Sequence, residues 1–538
     1  MKRFFTLSAR RITPAFVAFL FAFLAIIYVN LLNVGSPILE EHGFRQTQTA
    51  IASYYFVKEG FTIRYLTPVL GEPWSTPFEF PIYQYVVAAI VKVMGLTDLA
   101  GPWFTGTGRL VSLTFALLTC IPVFHALKRL KMETEACYFA LAMYLSAPIY
   151  MFWSGTFMME CTAVFFMCCF LYYAIKVMQR GYTNRDLILL SLFLTLAMLQ
   201  KITTVLPSLA VMGLLIGWGL LRNGDLHPKN LRTNLPMLLK LAISVLVPVA
   251  IAFAWVKYSD MVKLENPIAS GLTSANLTAF NYGSLAQRVS AQLWLGVVFM
   301  RNVRADSFSI LGPLLILATL ALGRKSAVSG VVLVCVALFL IPFLVFTNLH
   351  MVHNYYQSAN AIFWSVAAGL SVFYIIRRFL KSRTQQTVVL GLFMLSNYYY
   401  FGQDYYHDKT TPITSANRTM QLAEFIKAET PPDLPVIFGG FDSSSEPSFY
   451  TERKSITLPF WKDVTVEALT NTSKFLSQSP SAIVDCAGPQ TQVMESLIME
   501  KYPTIAPFRI ADCNVYILHP VPHLLRHDYE GEIKWLNR

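Results

Sequence analysis

Apolar runs long enough to span a bilayer as helices recur along the first three quarters of the chain. They lie at roughly 14–36, 107–127, 136–153, 161–178, 186–201, 204–221, 236–256, 307–323, 327–347, 357–376 and 386–402, which makes about 11 spans at the roughly 20 residues a bilayer needs. A further run, Ile82 to Leu96, is apolar enough to count. Counting it would move the basic segment Lys128-Arg129-Leu130-Lys131 to the outer side, so it is assigned to a surface helix of a first external loop, 37–106.

Short basic clusters fix the expected topology. They occur at Lys2 to Arg11, Lys128 to Lys131, Lys176 to Arg185, Arg222 to Arg232, Arg324-Lys325 and Arg377 to Arg383, and the span assignment places all of them on the cytoplasmic side. The N-terminus is then cytoplasmic and the C-terminus external. The first apolar stretch, Ala15 to Val34, is long and ends in Gly35-Ser36-Pro37 without an A-x-A pattern, which predicts a retained span rather than a cleaved signal.

After Gln403 the pattern changes. Short runs such as Val436-Ile437-Phe438, Ala482-Ile483-Val484 and Val515 to Leu518 alternate with helix-like stretches at Met420 to Ala428 and Val493 to Lys501. The chain therefore divides into a transmembrane module, 1–403, and a small external α/β domain, 404–538. The glycines there lack G-x-G-x-x-G spacing, so nucleotide binding is not supported. Residues 258–306 form a second large external loop that contains the amphipathic segment Leu285 to Arg304. No internal repeat is evident.

Composition agrees with a polytopic α-helical membrane protein: 55% of 538 residues are hydrophobic and 14% charged. The net charge of +12 would suggest a nucleic-acid partner in a soluble protein, but here its excess falls in the short loops and sets topology instead. Eight cysteines include no C-x-x-C pair and no Cys/His zinc spacing. Most lie in spans, whereas Cys486 and Cys513 border strands of the external domain and can pair in an oxidising compartment. Their bond would stabilise a domain this small by about 3 kcal/mol.

Polar residues collect on the outer side of this topology. The first loop opens Glu40-Glu41-His42-Gly43-Phe44-Arg45, immediately beyond the first span, where ionisable groups are rare unless they line a pathway or site. Glu79 stands in Pro77-Phe78-Glu79-Phe80-Pro81, Arg109 opens the second span, Glu160 precedes the fourth, and Lys201 ends the fifth. Arg301 and Arg304 precede the eighth span, and His353-Asn354-Tyr355-Tyr356 the tenth. Carboxylates able to take a proton, beside cations able to cradle a phosphate, are what sugar transfer from a lipid phosphate requires.

The order of these motifs resembles the C-type (GT-C) glycosyltransferases: an acidic first loop, Phe-Glu-x-Pro, an Arg opening the next span, an acidic residue before the fourth span, a Lys ending the fifth and a late His-x-Tyr-Tyr. The likeness covers about 1–400 and is strongest to enzymes similar to aminoarabinose lipid A transferase and protein O-mannosyltransferases. It implies a GT-C fold in a bacterial inner membrane. It implies an inverting transfer of a sugar from a polyprenyl-phosphate donor to a lipid, polysaccharide or protein acceptor at the periplasmic face. Glu41 or Glu40 would be the base, Glu160 a further catalytic carboxylate, and Lys201 and Arg109 the phosphate contacts. His42, Arg45, Glu79, Arg301, Arg304, His353 and Tyr355 complete the expected substrate site. Glu41, Glu79, Glu160 and His353 are the candidate ligands should a divalent cation be the cofactor. Two departures stand out: many relatives carry Asp-Glu where this chain has Glu-Glu-His, and Lys where it has Phe80. The rival reading, a transporter or flippase of lipid-linked glycans, predicts charges near mid-span and Gly/Pro-broken helices, whereas here the charges gather at one face.

Overall fold

The computed structural model describes residues 13–180, 182–307, 311–324 and 326–521. The first basic cluster lies outside them. Helices α1 (Pro14–Leu31), α2 (Gly43–Glu59), α3 (Ile82–Met94), α4 (Pro102–Arg129), α5 (Thr134–Ser146), α6 (Pro148–Trp153), α7 (Glu160–Arg180), α8 (Asn184–Arg222) and α9 (Pro228–Leu264) are followed by long helices at Ala327–Val345, Ser358–Phe379 and Arg383–Asp404. Seven of the described helices are long and apolar enough to cross a membrane by length and composition, which makes this a multi-pass membrane protein.

That number is smaller than the sequence pattern gives, and the reasons are local. The run 136–153 is broken at Ala147, because Pro148 cannot continue the preceding helix and starts a new one. Within the run 307–323 the helix covers only Gly312–Leu322. The helix Arg383–Asp404 carries Gln385, Gln386, Asn397 and Gln403, which lower its hydropathy. The loop expected from residue 258 is also shorter, since α9 continues through Leu264 rather than ending near 256.

The remaining difference, α8, decides the architecture of the site. This 39-residue helix is interrupted by one extended residue, Lys201 (φ −166°, ψ 100°). Before it, Lys176 pairs with Asp186 at 2.5 Å and Tyr173 stacks on Phe193. After it, the Ser208 hydroxyl reaches the Met167 sulfur at 3.3 Å, and Met212 and Leu215 share an apolar groove with Cys168, Leu171 and Ile175. Both limbs therefore run beside α7, one toward Glu160 and the other away from it, and Lys201 is the apex. The break also frees the Leu199 carbonyl, which accepts from the Phe80 amide at 3.0 Å and holds the Phe-Glu segment against the apex.

Helix α3 has 13 residues, about 20 Å at 1.5 Å per residue and so short of a hydrocarbon core, and it packs on α2 and α4. The C-terminal unit is a five-stranded sheet in the order β2-β1-β3-β5-β4, with β1 Val436–Gly439, β2 Ser455–Thr457, β3 Ala482–Cys486, β4 Phe508–Ile510 and β5 Cys513–Ile517. β1 runs parallel to β2 and β3, while β5 is antiparallel to β3 and β4. Buried Val, Ile and Phe fill β1 and β3, as expected of strands covered on both faces.

The first loop closes the sheet's edge. The Gly71 amide donates to Ser455 O, and the Ser455 and Thr457 amides donate to Pro68 O and Val69 O, at 2.7–3.0 Å. An exposed strand edge is an aggregation template, and here the chain covers it with its own first loop. Tyr450 Oη also accepts from the Ile38 amide at 2.6 Å. The C-terminal unit is thus docked on the segment that follows α1.

Cys486 and Cys513 face each other across β3 and β5 and are bonded, with Cα atoms 4.0 Å apart. Mass mapping of non-reduced protein is expected to recover one peptide pair joined through these residues, and their replacement by serine is expected to cost the unit about 3 kcal/mol. Two free thiols in folded protein would refute the bond.

Candidate active site

A cavity of about 930 Å³ opens between the helical body and the C-terminal unit. Its helical wall carries Arg45 and Gln48 from the first turns of α2, Glu79, Lys201 at the apex of α8, Trp255 and Lys263 from α9, and His353, Tyr355 and Tyr356. The opposite wall carries Arg418, Phe441 to Ser444, Glu446, Phe460 and Trp461.

Two ion pairs brace the helical wall. Arg45 pairs with Glu79 and donates to Gln48, and both charges are largely buried. Burial alone raises the Glu79 carboxyl, but the Arg45 charge, with help from Lys201, overcomes it and holds the group below the usual carboxylate range. Lys201 Nζ lies 2.5 Å from Glu160 Oε1, with side chains 3% and 5% exposed. The Lys201 ammonium also faces the rings of Tyr356 and Tyr355, 4.2 and 5.1 Å from their centroids. An ammonium among apolar walls needs such partners, since the bare charge would be costly to bury. No carboxylate near Lys201 in sequence suggests a partner, and Glu160 supplies it from 41 residues away.

Several expected site residues sit behind the cavity wall. Glu40 accepts from Arg109 at 2.6 Å, and Arg109 also donates to Asn33 O and Pro37 O. This guanidinium ties the chain after α1 to α4 and does not line the cavity. Glu41 accepts from Asn354 Nδ2 at 2.5 Å and lies 4.0 Å from His42 Nε2. Burial raises the Glu41 carboxyl against the opposing Asn354 hydrogen bond. His42 takes a left-handed backbone (φ 55°), bonds Asn354 Oδ1 at 3.0 Å, and is lowered by burial. Arg301 donates to His350 O at 3.4 Å and Arg304 lies over the Tyr400 ring; neither lines the cavity. Burial lowers His353 to about 4, so at neutral pH it is an uncharged ring stacked on Tyr355.

The four candidate metal ligands Glu41, Glu79, Glu160 and His353 do not form one cluster. Among the described residues no group of three or more His, Cys, Asp or Glu is placed to hold a metal ion, and Glu79 and Glu160 each face a cation of the chain itself.

Two cavity residues escaped the sequence reading. Lys263 is 5% exposed, its ammonium 4.6 Å from the Phe78 ring centroid, with no carboxylate partner within ion-pair distance among the described residues. At the end of an apolar helix it looks like an interfacial anchor. Glu446 follows three serines and resembles a solvated loop residue until the docking of its segment is seen. A Cβ built on Gly43 would lie 2.6 Å from Glu446 Oε1, so its carboxylate rests against the first loop.

No protein-family model matches the sequence, and no curated protein matches it. Solved structures do. ArnT from Cupriavidus metallidurans, bound to undecaprenyl phosphate, superposes with a TM-score of 0.62 over 93% of this chain and 97% of its own, at 15% identity. The oligosaccharyltransferase of Archaeoglobus fulgidus, in complex with Zn and sulfate, gives 0.56 over 90% of this chain and 69% of its own, at 12% identity. The arabinofuranosyltransferase AftD from Mycobacteria gives 0.51 over 93% of this chain and 40% of its own, at 12% identity. The chain has the fold of the C-type membrane glycosyltransferases.

Proposed function

We propose that this protein is a membrane glycosyltransferase that moves a sugar from a polyprenyl-phosphate donor to an acceptor in the cavity between its helical body and C-terminal unit. The observation that carries the reading is the buried Lys263 ammonium, which has no ion-pair partner among the described residues and shares one cavity with Lys201 and Arg45. The lipid tail lies among the helices and its phosphate reaches these three cations. They stabilise the charge that develops on phosphate oxygen as the anomeric carbon leaves it, and the acceptor oxygen attacks from the opposite side with inversion. The undecaprenyl phosphate bound to ArnT from Cupriavidus metallidurans supports the donor class.

Titration of purified protein in detergent with undecaprenyl phosphate tests the cradle. Lys263→Gln is expected to weaken binding by about 1.5–3 kcal/mol, the scale of a lost charge-assisted hydrogen bond. Lys201→Gln is expected to do the same, whereas Arg109→Gln is expected to lower stability and leave affinity within about threefold. Wild-type affinity in Lys263→Gln would sink the assignment.

The cavity would open on the periplasmic side of a bacterial inner membrane, with 404–538 as the periplasmic domain. Single cysteines at Glu265 and Ser473 are expected to react with an impermeant thiol reagent in intact cells, and cysteines at Lys131 and Lys229 only after lysis. Labelling of Lys131 from outside would reverse the topology.

A further inference from the structure

The helical body carries another cavity, of about 410 Å³, among α4, α7, the second limb of α8 and the helices Ala327–Val345 and Ser358–Phe379. That volume is within the range of small-molecule sites. Its lining is apolar apart from Gln179, and it shares no residue with the cavity that holds Lys201. Helix α7 begins at Glu160 beside Lys201, so Gln179, in its last turn, marks the opposite end of the bundle. Along α7 the groove runs from Cys168 to Gln179. That is about 16 Å at 1.5 Å per residue, close to half of a hydrocarbon core of about 30 Å and so to the depth of one leaflet. Gly330 helps to keep the groove open, since a Cβ there would meet nothing within 4 Å.

Cations flank the far end. Leu130 of the lining stands between Arg129 and Lys131, and Gln179 Nε2 donates to Arg129 O at 3.0 Å. Arg324 is exposed and precedes the lining residue Ala327 by three positions. The acids nearest to Lys131 in sequence, Glu133 and Glu135, face Arg377 instead, at 3.5 and 3.8 Å. The Arg129 guanidinium lies 5.8 Å from the Tyr172 ring centroid, which leaves its charge without a carboxylate among the described residues.

From this juxtaposition we propose that the groove binds one acyl chain of an anionic phospholipid, whose phosphate lies on Arg129, Lys131 and Arg324. A pocket between membrane helices with cations at its mouth suits such a lipid, because the chain fills the apolar space while the headgroup meets the charges. Setting topology requires cations on one side of the membrane, but it does not require them at the mouth of a groove. A polyprenyl-phosphate tail entering from the Lys201 end would leave these cations without an anion, so the charge favours a separate lipid. Its chain would pack on Met212 and Leu215, beyond the apex of α8, and tie that limb to α7 and the helix Ala327–Val345.

The test uses full-length protein in mild detergent with phosphatidylglycerol or phosphatidylcholine of identical acyl chains. Native mass spectrometry is expected to show one phosphatidylglycerol retained per chain, preferred over phosphatidylcholine by about 10²-fold, or about fivefold for each of the three cations. A diazirine placed mid-chain on phosphatidylglycerol is expected to label peptides from 168–179 and 330–338. Gly330→Phe puts a ring in the groove and is expected to abolish that labelling, together with the rise in Tm that phosphatidylglycerol gives wild type. Arg129→Gln combined with Arg324→Gln leaves the groove's lining unchanged and is expected to reduce the preference to about fivefold, which decides the matter should Gly330→Phe not fold. Equal retention of the two phospholipids by wild type, or labelling that persists in folded Gly330→Phe, would mean ordinary lipid contact and overturn the proposal. Displacement of the retained phosphatidylglycerol by undecaprenyl phosphate would give the groove to the donor's tail and overturn it as well.

Discussion

Replacing Glu160 with glutamine is expected to destabilise the helical body by about 3–5 kcal/mol, the usual consequence of removing one partner from a buried ion pair. Both side chains are almost wholly inaccessible, and the variant leaves an ammonium at the apex of α8 facing the Tyr355 and Tyr356 rings, with the Glu79 carboxylate nearby already paired to Arg45. Cation–π contacts of that kind return about 0.5–2 kcal/mol, which is too little to replace a carboxylate. Neutralising both members, in Glu160→Gln with Lys201→Met, is expected to recover most of the loss, because no uncompensated charge remains. Thermal unfolding in detergent reads these differences. The pair also bears on function. If Lys201 holds the donor phosphate, undecaprenyl phosphate gives it a new counter-charge, and the ligand should raise the melting temperature of Glu160→Gln by more than that of wild type. Equal ligand shifts, or a double variant no more stable than Glu160→Gln, would place Lys201 in the scaffold alone.

The sequence made the bundle legible because its signals are long and redundant: apolar length marks spans and Lys/Arg bias marks one side. Lys201 was legible as a polar residue at a span end, and the reversal of α8 at that residue follows from the need to satisfy a charge between two apolar limbs. The local misreadings share a cause. Pro148 breaks a run whose hydropathy is continuous, because hydropathy does not record a missing backbone N–H. Arg109 and Glu40 were legible as polar residues at span ends but not as partners, because 69 residues of chain separate two groups that satisfy each other. Conversely, Lys263 and Glu446 carry no local signal. A lysine ending an apolar helix and a glutamate after Ser443-Ser444-Ser445 are ordinary until the docking of 68–71 on β2 brings the C-terminal wall to the cavity.

The same unit holds a second carboxyl whose surroundings set a pH dependence. Asp485 lies on β3 between Gly439 of β1 and Asn514 of β5, is 2% exposed, and has no hydrogen-bond partner on either oxygen among the described residues. The nearby Thr491 hydroxyl bonds Cys486 O at 3.1 Å and only partly opposes the rise of the Asp485 carboxyl. Burial, reinforced by the Glu495 charge, raises Asp485 to about 7. A carboxyl raised above its unfolded value binds its proton more tightly when folded. Its contribution is therefore fully present below about pH 4 and is lost as pH rises through about 7. A shift from 3.8 to about 7 bounds the loss at about 4 kcal/mol, and relaxation of the site would reduce it to about 2–4. Asp485→Asn keeps the shape without the titration and is expected to be the more stable protein at pH 8.5 and no more stable at pH 4. Glu446 is raised in the same direction and adds to the same slope. Hydrogen exchange of β3 and β5 peptides in the full-length protein, corrected for intrinsic rates, measures the unit's opening free energy at each pH. Stability that instead climbed from pH 5 to 8.5 would mean that a donor or cation meets the ionised Asp485 carboxylate, and the buried-acid account of this strand would fail.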